Sequence, residues 1–294
     1  MYEKIVVASD LSEAANHVIN SIQDLKKFGT REVILFHALG IRHFHALQYD
    51  LARFAEPALA EQEELLRRSG FSVKVAIGPD GVVRELQKVV EEEKASLVVI
   101  GTHGRGMAFD ALIGGQAHKI MHSATFPLLV IRLHLVEETG KLKSAADCLS
   151  FSKKILYVTD FSETAQRAFS HLEKMVELGI KRISLLHVQD RTKMSSIEKH
   201  LPRLLDEFDA IDTQRLERLK NSLTAKGAQE VDVLLKHGMP VAEILKVSKD
   251  DDYSFILMGS QGRGYVKESF LGSVSNNVVR QASLPVLLIP ALRG

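Results

Sequence analysis

The sequence predicts an α/β protein made of two tandem, doubly wound, five-stranded parallel-sheet domains of Rossmann-like type. Three observations predict it: an internal repeat, an alternation of short β-branched runs with longer amphipathic segments, and a glycine-rich loop behind the fourth apolar run of each half. The repeat opens with Lys4-Ile5-Val6-Val7-Ala8-Ser9-Asp10-Leu11-Ser12-Glu13, which aligns with Lys154-Ile155-Leu156-Tyr157-Val158-Thr159-Asp160-Phe161-Ser162-Glu163 at an offset of 150. Val33 to His37 aligns with Ile183 to His187 at the same offset. Gly101, Gly104, Gly114 and Pro127 align with Gly259, Gly262, Gly272 and Pro285 at an offset of 158, so the second copy gains about eight residues between its second strand and its glycine loop. A period of this length marks a duplicated domain. The predicted boundaries are 1–136 and 153–294, with a charged, small-residue linker at 137–152.

Within the first copy, strands are expected near 4–9, 31–37, 71–77, 97–101 and 127–133, and within the second near 154–159, 181–188, 230–236, 254–259 and 285–290. Runs such as Leu97-Val98-Val99-Ile100 are apolar at consecutive positions, as in strands covered on both faces. Ala14 to Phe28 carries Val18, Ile22 and Leu25 as a helical stripe; Leu201, Leu205, Phe208, Leu216, Leu219 and Leu223 mark a longer helix in the second copy. Parallel strands joined by right-handed helical crossovers place a ligand beyond the carboxyl ends of the strands. The apolar run Leu128 to Val136 reads as a long edge strand, and exposed edges are usually paired or covered. The two fifth strands are therefore expected to meet as an intramolecular pseudo-dimer, or else chains to form a homodimer.

Composition narrows the function. The chain has 294 residues, 45% hydrophobic and 26% charged, with a net charge of +1, which gives no basic footprint for nucleic acid. No apolar stretch reaches membrane-span length, and Met1-Tyr2-Glu3-Lys4-Ile5 runs straight into a strand with no secretory pattern. A lone Cys148 suits a reducing compartment. A cytoplasmic protein is expected, with no membrane and no nucleic acid among its partners.

The chemistry concentrates in Gly259-Ser260-Gln261-Gly262-Arg263-Gly264, followed by Gly272-Ser273 and a helix. Strand, glycine loop and helix start together make an anion site, because N–H groups and the helix dipole converge there. A hydroxyl at the helix start adds one more donor. Asp160 ends the first strand, beside the fourth, and either faces the same crevice or caps the next helix, a task Ser162 does equally well. Arg263 either approaches a phosphate or sits in solvent. In the first copy Gly101-x2-Gly104-x9-Gly114 survives, but Gly115 replaces the hydroxyl residue and Ala38 stands where Val188 stands, while Asp10 is retained. This first site reads as weakened, turned to a smaller nucleotide such as AMP, or empty. His103 inside the first loop is a further candidate phosphate donor.

His37, His43 and His45 invite a metal reading, but no cysteine lies nearby, and solvated loop histidines with a structural His37 are expected. There is no G-x4-G-K-[S/T] loop, no G-x-S-x-G elbow and no G-x-G-x-x-G after a first strand, which removes the usual machinery of fast NTP hydrolysis, acyl transfer and dinucleotide binding. Lys267 is the nearest lysine to the second loop.

The spacing Gly259-x2-Gly262-x9-Gly272-Ser273 resembles the nucleotide-binding signature of the universal stress protein family in tandem form, and the resemblance spans both halves. It implies an adenine-nucleotide alpha-hydrolase-like fold. It also implies that Gly259, Gly262, Gly272 and Ser273 hold the phosphates of ATP or AMP, that Asp160 lies on the ribose and adenine side, and that Val188 presents backbone groups to the adenine edge. Mg²⁺ is an expected companion of ATP. The leading expectation is a non-catalytic, stress-responsive nucleotide module; the alternatives are a slow Mg²⁺-dependent ATP hydrolase and a scaffold with a vestigial first site.

Overall fold

The computed structural model describes residues 1–40, 45–102, 114–136, 141–144, 153–190, 202–250, 252–262 and 271–291. The chain divides into two units, Met1–Leu149 and Ser150–Gly294. In the first, β1 (Lys4–Ala8), β2 (Glu32–Ala38), β3 (Ser72–Gly78), β4 (Leu97–Gly101) and β5 (Leu128–Ile131) alternate with α1 (Glu13–Ser21), α2 (His45–Arg68), α3 (Val82–Glu93) and α4 (Gly115–Ser123). The strands pair in the order β3-β2-β1-β4-β5, all parallel. Central runs of Val, Ile and Leu bury completely, as Val98 and Val99 do, because helices cover both faces of the sheet.

The first unit adds a hairpin of β6 (Leu133–Val136) and β7 (Lys141–Ser144), paired antiparallel. The single long strand expected over Leu128 to Val136 is therefore two strands. The second finds its backbone partners in Lys141–Ser144, a segment that sequence reading assigned to the linker.

The second unit repeats the plan with β8 (Lys154–Thr159), α5 (Glu163–Glu177), β9 (Arg182–Gln189), α6 (Pro202–Ala225), β10 (Glu230–His237), α7 (Pro240–Val247), β11 (Tyr253–Gly259), α8 (Ser273–Gln281) and β12 (Val286–Ile289). Its strand order, β10-β9-β8-β11-β12, is the same and again all parallel. The extra length of the second copy falls mainly before its long helix: α2 starts at His45 after Ala38, whereas α6 starts at Pro202 after Gln189.

The helices following β1 and β8 differ. α5 is continuous, but α1 tightens at Ile22 into a 3₁₀ stretch that runs to Phe28. The Ser21 hydroxyl donates to the Val18 carbonyl at 2.6 Å, and such back-bonding competes with regular helix. Gly29, at φ +90°, ends the helix. Among the described residues no helix is long and apolar enough to cross a membrane.

In both units the chain winds outward from the first strand in one direction and then returns to add the fourth strand on the other side. The switch point therefore lies between β1 and β4, and between β8 and β11. The described motif glycines (Gly101, Gly114, Gly259, Gly262 and Gly272) and both strand-end aspartates sit at the carboxyl side of that switch, where doubly wound sheets take ligands.

Candidate functional site

At the switch point of the second unit lies a cavity of about 730 Å³, within the range of small-molecule sites. Asp160, Val188, Gly259, Gly262, Gly272 and Ser273 all line it. Arg263 lies outside the described residues, as do Gly104, His43 and His103.

One wall is the turn after β8. Phe161 adopts a left-handed φ of +60°, unusual for a bulky residue. The Thr159 hydroxyl accepts from the Phe161 N–H at 2.9 Å, and Asp160 Oδ1 accepts from the Ser162 N–H at 3.0 Å. Ser162 then caps α5, accepting from the Ala165 N–H at 3.3 Å. Of the two roles open to Asp160, capping thus belongs to Ser162. The first unit builds the same turn, with Leu11 at φ +62°, Asp10 Oδ1 accepting from the Ser12 N–H at 3.1 Å, and Ser12 as the cap.

The opposite wall is the glycine loop. Gly259 ends β11 so close to α5 that a Cβ would stand 2.7 Å from Thr164 Oγ1 and 2.9 Å from the Thr164 carbonyl carbon. A Cβ on Gly262 would lie 2.7 Å from Asp160 Oδ2, so this glycine keeps space beside the carboxylate. Gly272 is less crowded, and its N–H donates to the Ser260 carbonyl at 2.7 Å, closing the loop on itself. Gly272, not Ser273, is the N-cap of α8, and no side chain caps that helix. Its first-turn amides, starting at Ser273, thus remain donors at a positive helix end, beside the Ser273 hydroxyl. Ser260 Oγ and Asn276 Oδ1 are buried here without a hydrogen-bond partner among the described residues, a rare condition for polar atoms.

Two hydroxyls that sequence reading did not single out hold this loop. Thr164 Oγ1 donates to the Gln261 carbonyl, and Ser275 Oγ donates to the Ser260 carbonyl at 2.6 Å. The corresponding residues in the first copy are Ala14 and Ala117. Comparing the copies position by position for a hydroxyl against a methyl is the signal that would find them.

At the far end of the cavity, His187 is 5% exposed. Its Nδ1 donates to the Thr159 carbonyl at 2.7 Å, since a carbonyl only accepts. Its Nε2 lies 3.4 Å from Asp212 Oδ2. Asp212 also accepts from Gln189 Nε2 at 2.9 Å and from Arg215 Nη1 at 3.1 Å. Val188 stands one residue past the last β8–β9 register pair, Thr159 with His187.

The first unit holds a cavity of about 710 Å³ at the equivalent place, lined by Asp10, Ala38, Gly101, Gly114 and Gly115. The loss of the hydroxyl residue therefore leaves the cavity open. The Gly114 N–H donates to the Thr102 carbonyl at 2.9 Å, as Gly272 does to Ser260, and α4 likewise lacks a side-chain cap. His37 Nδ1 meets the Ser9 carbonyl at 2.9 Å, the structural place expected for it. Among the described residues, no group of three His, Cys, Asp or Glu is placed to hold a metal ion.

Comparison with known proteins agrees with this architecture. The model of the universal stress protein family matches residues 1–132 and again 152–290. The chain is 33% identical over 153 residues to universal stress protein MJ0577 of Methanocaldococcus jannaschii, covering 47% of this chain and 94% of that protein. It is 26% identical over 250 residues to universal stress protein Mb2346c of Mycobacterium bovis, covering 83% of this chain and 82% of that one. The crystal structure of a universal stress protein from Archaeoglobus fulgidus superimposes with a TM-score of 0.71 at 23% identity, covering 97% of this chain and 95% of the other, which attests the fold. With the family domain matched twice in succession, this chain belongs to the universal stress protein family as a tandem member.

Proposed function

We propose that the second unit binds an adenine nucleotide, ATP or AMP, and that the chain works as a nucleotide-responsive stress protein without catalysing a reaction. The observation that carries this reading is the uncapped start of α8 facing Asp160 across one cavity. The helices after β1 and β8 have serine caps, Ser12 and Ser162, while α8 leaves its first amides open toward the crevice. An anionic group satisfies those donors, and Ser273 adds a hydroxyl. Asp160, held by the Ser162 N–H, accepts from ribose hydroxyls. Val188, one residue past the β8–β9 pairing though still in register with Lys236 of β10, offers its backbone to the base edge. The residues fit a nucleotide at both ends, polar donors for phosphate and an acceptor plus apolar walls for the nucleoside.

The phosphate end offers donors but no metal-binding cluster among the described residues. A Mg²⁺ ion bound with ATP would supply positive charge in a cavity lined by the carboxylates of Asp160, Asp190 and Asp212. A hydrolase would need a side chain positioning water at the terminal phosphate. Asp160, assigned in this reading to the ribose, does not fill that role.

Calorimetric titration of AMP, ADP and ATP with Mg²⁺ into the intact chain and into Gly262→Val tests the reading. A valine there drives its Cβ into Asp160 Oδ2, so the expected result is loss of one Mg²⁺-dependent binding event, on the order of a hundredfold in affinity. Identical titrations for both proteins refute nucleotide binding at the second unit.

A further inference from the structure

The two cavities are alike in size and plan, but their described lining residues are opposite in charge. Among described residues, the second cavity is lined by Asp160, Asp190 and Asp212 against Arg215, a balance of −2. The first is lined by Asp10 against Arg84 and Lys119, a balance of +1. The reversal comes from particular replacements. Arg84 on α3 corresponds to Ala242 on α7, and Lys119 on α4 corresponds to Asn277 on α8. Gln87 and Gln116, which also line the first cavity, correspond to Leu245 and Val274. On the long helix the change runs the other way, with Ala55 and Ala58 of α2 standing where α6 carries Asp212 and Arg215.

We infer that the first unit's cavity is a separate site for a small phosphate or phosphate-ester anion, bound without a divalent metal, with Arg84 and Lys119 supplying the cationic charge. Lys119 projects from α4 and forms no ion pair among the described residues. Arg84 is 82% exposed on its side chain and has only a loose partner, Asp80 Oδ2 at 3.6 Å, so it swings to an anion at little cost. Asp10 is the one carboxylate among the described lining residues, and its Oδ1 already accepts from the Ser12 N–H and, at 2.5 Å, from the Ser12 hydroxyl. The amide of Gln116 adds a neutral donor to the lining, while Gln87 Nε2 donates to the Ser123 carbonyl at 3.2 Å and ties α3 to α4. A cavity of about 710 Å³ accommodates a ligand of mononucleotide size. The glycine at position 115 then marks a change of donor: cationic side chains from two helices take over from a helix-start hydroxyl. This assignment does not depend on the nucleotide reading of the second unit.

The test uses the full chain carrying Gly262→Val, so that the second cavity is disabled, and AMP and pyrophosphate as probes in EDTA. Binding of at least one probe near one site per chain is expected, weakened by added salt. Arg84→Ala with Lys119→Ala is expected to weaken it about tenfold or more. Both residues are exposed, so circular dichroism and melting temperature are expected to stay unchanged. Lys88→Ala removes an exposed cation from α3 that does not line the cavity, and is expected to leave binding intact. The inference is overturned if neither probe binds, if binding requires Mg²⁺, or if Lys88→Ala weakens it as much as the double substitution does.

Discussion

The two units share one turn, one strand order and one cavity, yet they secure their glycine loops differently. In the second, hydroxyls of Thr164 and Ser275 reach the carbonyls of Gln261 and Ser260, so α5 and α8 both hold the loop. In the first, Ala14 and Ala117 offer no such side-chain bonds, and the closure includes the Gly114 N–H to Thr102 carbonyl bond and the Thr102 N–H to Ile131 carbonyl bond. The second loop is built to present a fixed helix start and leaves its cavity acidic. The first gives up the pins and moves the anion chemistry to side chains on α3 and α4. Duplication thus kept the topology that makes a crevice and let the means of filling it diverge.

The largest stability difference is expected where the loop leaves the sheet. A Cβ at Gly259 meets three Thr164 atoms within 3 Å, one of them backbone, whereas a Cβ at Gly101 meets Val18 Cγ2 at 3.1 Å. Gly259→Ala is therefore expected to cost about 3 kcal/mol and Gly101→Ala below about 1 kcal/mol, since overpacking is severe only where backbone must move. Thermal or denaturant unfolding of the two variants checks the asymmetry, and equal costs would break it. A smaller effect is expected from Ser275→Ala. It removes a buried hydroxyl that bonds Ser260 and leaves that carbonyl short of one donor, at about 1 kcal/mol. The reciprocal Ala117→Ser in the first unit is expected to gain less than this, because Ala117 is 8% exposed in packing shaped for a methyl. Unfolding measurements on both variants compare them directly.

Much of this was legible in the chain itself. The repeat offsets, the apolar runs and the glycine spacing located the strands and both crevices, because parallel sheets write their burial as unbroken Val, Ile and Leu. Sequence reading went astray where local pattern and pairing disagree. The stretch Leu128 to Val136 is mostly apolar, interrupted only by Arg132 and His134, but a partner at Lys141–Ser144 draws its second half into a hairpin, and that partner looked like a polar linker. The glycines were legible as a motif but not as individuals. Only coordinates separate Gly259, closed against Thr164, from Gly262, which clears Asp160, and from Gly272, whose N–H is spent on Ser260. Asp212 was invisible because it reaches His187 from a helix distant in sequence, and Arg84 and Lys119 because an exposed cation on an amphipathic helix reads as ordinary solvated surface.

The subtlest comparison is the residue at the start of the two glycine-loop helices. The Ser273 side chain makes no hydrogen bond among the described residues, so Ser273→Ala is expected to leave stability within about 0.5 kcal/mol. A Cβ at Gly115 meets nothing within 4 Å, so Gly115→Ser fits without strain and gains a few tenths of a kcal/mol in helix propensity. Any large change in either variant is then a ligand effect. Loss of one hydroxyl donor to a phosphate oxygen is expected to weaken the second site by about fivefold to tenfold. If the first site depends on Arg84 and Lys119, gain of a hydroxyl at position 115 is expected to strengthen it by at most a fewfold. A gain as large as the loss at Ser273 would mean that the two sites recognise phosphate in the same way, and that the charge reversal around them governs something other than anion capture.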